Sequence, residues 1–300
     1  MSKIKRFVKF VKDIKEKKDY PTVINYDITS RCNLNCEHCY WRKTYNSKKE
    51  LSDKEWEKIF LEHKRKGAKS AFLTGGEPAL RPNVLRAASR IFGSITIVSN
   101  GTIKIPEDIQ CRIFLSIDGP KRIHNKIRGV KVFDKIMKNI KNDKRVVLTP
   151  TLSKTNYKYI DDLVKIARKS NVDGITFSTY TSHTKKEDPL LLKGKELDWT
   201  INKLKEVWKK NKDIVWITPF IINLYKNREH RFDCYMRKRH RTISFDANMN
   251  QKEPCVLGEG VNCETCGCIV PIMSHALKKF DIRAWFLFDK FYPERYYQGK

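Results

Sequence analysis

Short apolar runs alternate along the first two-thirds of the chain with longer segments whose apolar positions recur at helical spacing. The runs at 23–29, 71–74, 94–98, 113–117, 146–152 and 174–178 predict strands. Helices are predicted over 52–66, 84–91, 133–141, 156–169 and 195–210, the first opened by Ser52 and Glu55 in capping-box spacing. Little helix is expected after the third strand. Six strands alternating with helices predict an α/β protein with a parallel sheet. Periodicity alone does not separate a barrel from an open sheet.

Both ends of the chain have a different pattern. Ile4, Phe7, Val8, Val11 and Ile14 fall on one face of a helix, with Lys3, Lys5, Arg6, Lys9, Lys12 and Lys15 on the others. That pattern suits an interfacial helix on anionic lipid, or a helix packed on the main domain. At the other end Phe280, Trp285, Phe286, Phe288, Phe291, Tyr292, Tyr296 and Tyr297 are interleaved with Lys and Arg. Such aromatics suit a lipid headgroup boundary, a stacking platform for single-stranded RNA, or an ordinary core. The expected division is a basic amphipathic helix at 1–20, the strand-and-helix domain at 21–210, and a cysteine-rich region with an aromatic and basic tail at 211–300.

Composition narrows the class. A chain of 300 residues, 40% hydrophobic and 32% charged, can bury one large core or one large and one small. No apolar run approaches the roughly 18 to 20 residues that cross a bilayer, and the N-terminus lacks a secretory h-region. The expected setting is therefore cytoplasmic, either free or peripheral at the inner face of the membrane. The net charge of +28 favours anionic partners, an anionic membrane surface or RNA. No recognised RNA-binding module accompanies it, which weakens the RNA version. Nine cysteines, mostly in two groups, favour metal ligation over a disulfide framework in such a chain.

The first group is Cys32-Asn-Leu-Asn-Cys36-Glu-His-Cys39, followed by Tyr40. A closed structural site takes four protein ligands, and a purely electron-carrying [4Fe–4S] cluster takes four thiolates. Three thiolates leave one iron open for chemistry. A zinc knuckle completed by His38, or three unrelated thiols, is the bland alternative. Polar motifs end the next three predicted strands: Thr74-Gly75-Gly76-Glu77-Pro78, Ser99-Asn100-Gly101 and Ser116-Ile117-Asp118-Gly119. Each is a turn signal in any protein. Glycines at 75 and 76 let backbone approach a ligand closely, and the Glu77 carboxylate can accept from an ammonium group.

In this order the motifs resemble those of the radical S-adenosylmethionine (SAM) superfamily. The resemblance implies a partial (β/α)6 TIM barrel with its motifs at the strand C-termini, the functional face of such barrels. It implies a [4Fe–4S] cluster held by Cys32, Cys36 and Cys39, with SAM chelated at the open iron. Tyr40, the aromatic residue of the cysteine motif, would then be a SAM-binding residue, with Gly75, Gly76 and Glu77 at the methionine end of SAM and Asn100, Ser116 and Asp118 near its ribose. It further implies an electron donor such as ferredoxin or flavodoxin, and reductive cleavage of SAM to a 5′-deoxyadenosyl radical. No histidine is required as a general acid or base: His38 sits in the cysteine loop, and His124 lies in a segment, 124–129, similar to one in relatives.

The second group is Cys234, Cys255, Cys263, Cys266 and Cys268. Five thiols exceed what one [4Fe–4S] cluster needs, so one is expected to be spare, in the close Cys266–Cys268 pair. The stretch resembles the auxiliary-cluster extensions called SPASM or twitch, which implies a second [4Fe–4S] cluster in a small C-terminal cysteine-rich domain; zinc is the structural alternative. Cys111 reads as a core thiol. The segments 252–260 and 263–268 loosely resemble the branch containing the hopanoid adenosyl transferase, which implies an isoprenoid or other lipid substrate. Radical modification of a peptide or RNA is the second expectation, and a non-enzymatic iron–sulfur or zinc protein the third.

Overall fold

Nine strands and nine helices make up the regular structure of the described residues: β1 (Val23–Asp27), α1 (Asp53–Arg65), β2 (Ser70–Thr74), α2 (Pro82–Phe92), β3 (Ile95–Ser99), β4 (Arg112–Leu115), α3 (Lys121–Arg128), α4 (Phe133–Ile140), β5 (Val146–Leu148), β6 (Thr151–Leu152), α5 (Ile160–Ser170), β7 (Gly174–Ile175), β8 (Ser178–Thr179), α6 (Gly194–Lys210), α7 (Pro219–Asn227), β9 (Thr242–Phe245), α8 (Ile269–Lys278) and α9 (Ile282–Phe291). The computed structural model describes residues 20–40, 50–238 and 242–291, without the side chains of 288 and 289. The predicted N-terminal helix, the side chain of Phe288, and Tyr292, Tyr296 and Tyr297 lie outside the described residues.

All pairings in the main sheet are parallel, in the order β9-β1-β2-β3-β4-β5-β7, and β6 pairs with β8 beyond it. The result is the expected α/β partial barrel. Register sorts the two faces. Ile24 and Tyr26 align with Ala71 and Leu73, while Asn25 and Asp27 align with Phe72 and Thr74. The first set packs on helices: the Tyr26 ring lies 5.8 Å from Trp56 and 5.1 Å from Phe60 of α1, and its hydroxyl is 2.6 Å from His63 Nδ1. The second set faces inward by the alternation of strand side chains. α1 begins where expected, with Ser52 Oγ accepting from the Glu55 amide and Glu55 Oε2 accepting from the Ser52 amide.

Two differences from the expected elements have physical causes. The run 146–152 is not one strand but β5 and β6, separated at Thr149-Pro150, because proline has no N–H to donate to a ladder. β9, only four residues long and not predicted, joins the outer edge of β1, so the cysteine-rich region contributes a strand to the main sheet.

The start of β4 is sealed by α9. Arg112, 1% exposed, donates Nε to the Phe291 carbonyl (3.2 Å) and pairs with Asp173 (2.9 Å). Phe291 packs edge-on against Phe114 (5.6 Å) and Trp216 (5.2 Å). Of the interleaved aromatics, Phe291 is thus core, while Phe280, 64% exposed, and Phe286, 54% exposed, are surface. Cys111 is buried, as a core thiol should be. Among the described residues no helix is long and apolar enough to cross a membrane.

Candidate functional site

The cysteine loop leaves the C-terminal end of β1, and its first residues are gripped by a carboxylate that the sequence did not single out. Glu50 Oε1 accepts from Thr29 Oγ1 (2.7 Å), Ser30 N (2.6 Å) and Ser30 Oγ (2.7 Å), and Oε2 accepts from Arg31 Nε (3.1 Å) and Arg81 Nη1 (3.3 Å). Burial alone would raise its pKa, but these bonds to Thr29 and Ser30 and the Arg31 charge outweigh it and hold the carboxyl at about 2.

The other side of the loop root is the end of β2. Gly76 N donates to the Thr29 carbonyl and Glu77 N to the Arg31 carbonyl, both at 2.8 Å. A Cβ on Gly75 would lie 2.3 Å from Thr29 O, and one on Gly76 would lie 2.1 Å from Arg31 O. The close approach these glycines allow is therefore to the chain's own cysteine loop, where the sequence reading had expected a ligand. Glu77 is buried, and its carboxylate accepts from Ala79 N (2.9 Å), Ser99 Oγ (2.8 Å) and Asn100 N (2.7 Å), which ties the end of β2 to the end of β3. Burial raises its pKa against those bonds.

Of the remaining polar residues expected at the site, Asn100 and Asp118 also converge on the loop. Asn100 Nδ2 donates to Asn33 Oδ1 (2.9 Å) and lies 3.9 Å from Cys32 Sγ. Asp118 is fully buried, and its Oδ2 pairs with Arg128 Nη2 at 2.5 Å, while Arg128 Nη1 lies 3.4 Å from Cys36 Sγ. Burial would raise the Asp118 pKa, yet the Arg128 charge leaves it below the ordinary value. Asp118 thus acts on the loop through Arg128. Ser116 sits half-buried after β4, with its amide on the Ser99 carbonyl (3.0 Å). Arg128 belongs to the 124–129 segment already noted in the sequence, but nothing there marked it as the residue nearest a cysteine.

Tyr40 joins the two cysteine groups. Its ring stacks on His183 at 5.7 Å, His183 Nε2 lies 3.3 Å from the Leu257 carbonyl, and Lys252 Nζ lies 5.6 Å over the Tyr40 face, while burial raises the pKa of its hydroxyl well above the ordinary value. Lys252 reaches inside the barrel to Asp27 Oδ2 (2.5 Å), whose Oδ1 accepts from Thr74 Oγ1 (2.5 Å). Burial raises the Asp27 pKa, opposed by Lys252. Beyond Tyr40, all five thiols of the second group line one hollow. Burial pushes Cys255 up to about 12 and Cys266 up to about 11. Thiols in such a place ionise only against positive charge, so the donor set suits a polynuclear metal cluster. The hollow is fastened to the barrel by Gly267, whose carbonyl accepts from Thr179 N (2.9 Å) and whose amide donates to Thr181 Oγ1 (3.0 Å).

Residues 26–189 match the model of the radical SAM superfamily. The chain belongs to that superfamily. The matched stretch runs from β1 past β8 and so holds every motif of the first cysteine group. This radical SAM chain is 29% identical over 176 residues to the Fe-coproporphyrin III synthase of Methanosarcina barkeri, covering 53% of this chain and 44% of that protein. It is 27% identical over 160 residues to the sporulation killing factor maturation protein SkfB of Bacillus subtilis, covering 48% and 39%. The chain spans about half the length of the curated relatives it matches. In fold it resembles Streptococcus suis SuiB bound to the precursor peptide SuiA, with a TM-score of 0.63 at 18% identity, covering 84% of this chain and 63% of that one.

Proposed function

We propose that this radical SAM enzyme holds its SAM-binding [4Fe–4S] cluster on Cys32, Cys36 and Cys39 and a second [4Fe–4S] cluster in the hollow of Cys234, Cys255, Cys263, Cys266 and Cys268, and that it modifies a peptide. The observation that carries the reading is the link between the two thiol groups: Tyr40, next to Cys39, stacks on His183, whose Nε2 lies 3.3 Å from the carbonyl of Leu257 in the wall of the five-thiol hollow. With an external donor such as ferredoxin or flavodoxin, the SAM-bound cluster supplies one-electron cleavage of SAM to a 5′-deoxyadenosyl radical. The chain's own residues do the rest. Arg128 sets positive charge against Cys36, Asn100 holds the loop beside Cys32, and Gly75, Gly76 and Glu77 fix its root; Tyr40, Asn100 and Ser116 are the residues that would hold SAM. The region 211–300 is the auxiliary domain in this reading. One thiol of the close Cys266–Cys268 pair is spare in this reading, since five line the hollow and a cubane takes four.

A peptide is favoured as substrate by the similarity to SkfB and by a basic chain suited to acidic segments. The isoprenoid reading keeps one observation: Phe280, Ile282 and Phe286, in the link between α8 and α9 and the first half of α9, are 54 to 70% exposed. The test is anaerobic turnover with SAM and a strong reductant, offering host peptide extract, total polar lipid or bulk RNA in separate reactions. Peptide-dependent release of 5′-deoxyadenosine is expected; lipid-dependent release with an adenosyl-mass adduct would transfer the reading to isoprenoids. Iron should be roughly 8 per chain, falling by about half when Cys32, Cys36 and Cys39 are all alanine. Zinc in both groups without SAM cleavage would overturn the enzyme reading.

A further inference from the structure

The hollow that gathers the five thiols has one wall made by an imidazole with nothing to bond to. His230 is 0% exposed, lines the hollow together with the cysteines, and neither of its ring nitrogens has a hydrogen-bond partner among the described residues. A buried ring N–H without a partner costs about 1–3 kcal/mol, and such groups in a folded chain answer to something. The residue is also not loosely placed. It sits in the single turn Glu229–Arg231 directly after α7, and the preceding Arg228 takes a left-handed backbone (φ 57°) that turns the chain towards the hollow. Arg228 Nη1 then donates to the carbonyls of Thr265 (2.5 Å) and Cys266, so the turn carrying His230 and the turn carrying Cys263 and Cys266 are clamped to each other.

We propose that His230 is a positioning residue of the auxiliary centre, donating a ring N–H to a sulfur of the cluster held there. The inference rests on the auxiliary-cluster reading above. Five thiols already exceed the four that a cubane takes, so the imidazole is not needed as a ligand, and cluster sulfurs are the acceptors the hollow would offer. Hydrogen bonds to the sulfurs stabilise the more negative, reduced cluster and raise its potential. His230 therefore sets how readily the auxiliary centre accepts an electron, without touching substrate.

The test uses the full chain with Cys32, Cys36 and Cys39 replaced by alanine, so that only the auxiliary cluster contributes, followed by potentiometry and electron paramagnetic resonance. His230→Phe should keep about four irons per chain and move the midpoint potential to a more negative value. His230→Gln, which retains an N–H, should recover part of that shift. Labelling histidine with 15N should give a weak hyperfine coupling in the reduced cluster that His230→Phe abolishes. An intact cluster with unchanged potential and no coupling overturns the proposal while leaving the auxiliary cluster standing. Loss of iron in His230→Phe, or a coupling of the size of a direct iron–nitrogen bond, overturns it in favour of ligation. A parent chain that assembles no cluster overturns both this proposal and the reading beneath it, and the iron count alone reports that.

Discussion

Glu50 and Gly76 fix the cysteine loop by opposite means, one by presenting charge and one by presenting nothing. Replacing Glu50 by glutamine removes the charge that six donors share, and should cost about 2 kcal/mol at neutral pH by urea denaturation. The sign of the pH dependence follows from the carboxyl being held at about 2 when folded. Its stabilisation is complete above the unfolded value of about 4.3 and is lost as pH falls towards 2. The gap between wild type and Glu50→Gln should therefore close over that interval, and a constant gap would show that charge is not what matters. Gly76→Ala places a methyl where Arg31 O now lies, 2.1 Å from the ideal Cβ. Either the loop root or the end of β2 must move, so the variant should lose about half of its iron, with SAM binding, measured by iron analysis and equilibrium dialysis. The thiols and the Gly-Gly-Glu-Pro motif were legible because their spacing is itself the signal. Glu50 was not, because a carboxylate two residues before a helix cap looks like any surface acid until the fold brings Thr29, Ser30 and Arg81 around it.

Between elements, the link that most needs explaining is Lys252 to Asp27, which joins the turn after β9 to the end of β1. Both side chains are nearly buried, 8% and 1% exposed, so the pair is expensive to half-remove. Lys252→Met should destabilise by about 3–5 kcal/mol, and adding Asp27→Asn should recover most of it in a double-mutant cycle read by urea unfolding. Additive losses would mean that the two groups do not depend on each other. The sequence pattern located all six barrel strands to within a few residues, since each is an apolar run followed by a polar turn. It missed β9, whose Thr-Ile-Ser-Phe has alternation but too little length, and whose Thr242 and Ser244 are polar because both bond the Asn25 amide inside the barrel. It also predicted no helix at α3, since Lys121–Arg128 is rich in charge, with its apolar residues at only Ile123 and Ile127.

Across the whole molecule, the barrel is a tube with different closures. One end carries the thiols, the Asp27–Lys252 and Asp118–Arg128 pairs and Tyr40; the other is stopped by Phe291 against Phe114 and Trp216. Phe291→Ala should cost about 3–5 kcal/mol by chemical denaturation while leaving the iron content unchanged, because the cavity opens at the end away from the cysteines. Loss of iron in that variant would mean that the two ends are coupled through the sheet.

β1, the strand from which the cysteine loop springs, has one neighbour close behind it in the chain and another far ahead. Thr74 follows Asp27 by 47 residues, whereas Thr242 follows Asn25 by 217. On a ribosome adding about 5–20 residues per second, that second edge stays bare for roughly 9 to 34 s after the first has zipped. For that interval the nascent chain exposes an unpaired strand beside three reactive thiols, the state in which both edge-to-edge aggregation and oxidation are fastest. Synthesis in the absence of oxygen should therefore raise the yield of intact protein more than restoring anaerobic conditions after synthesis.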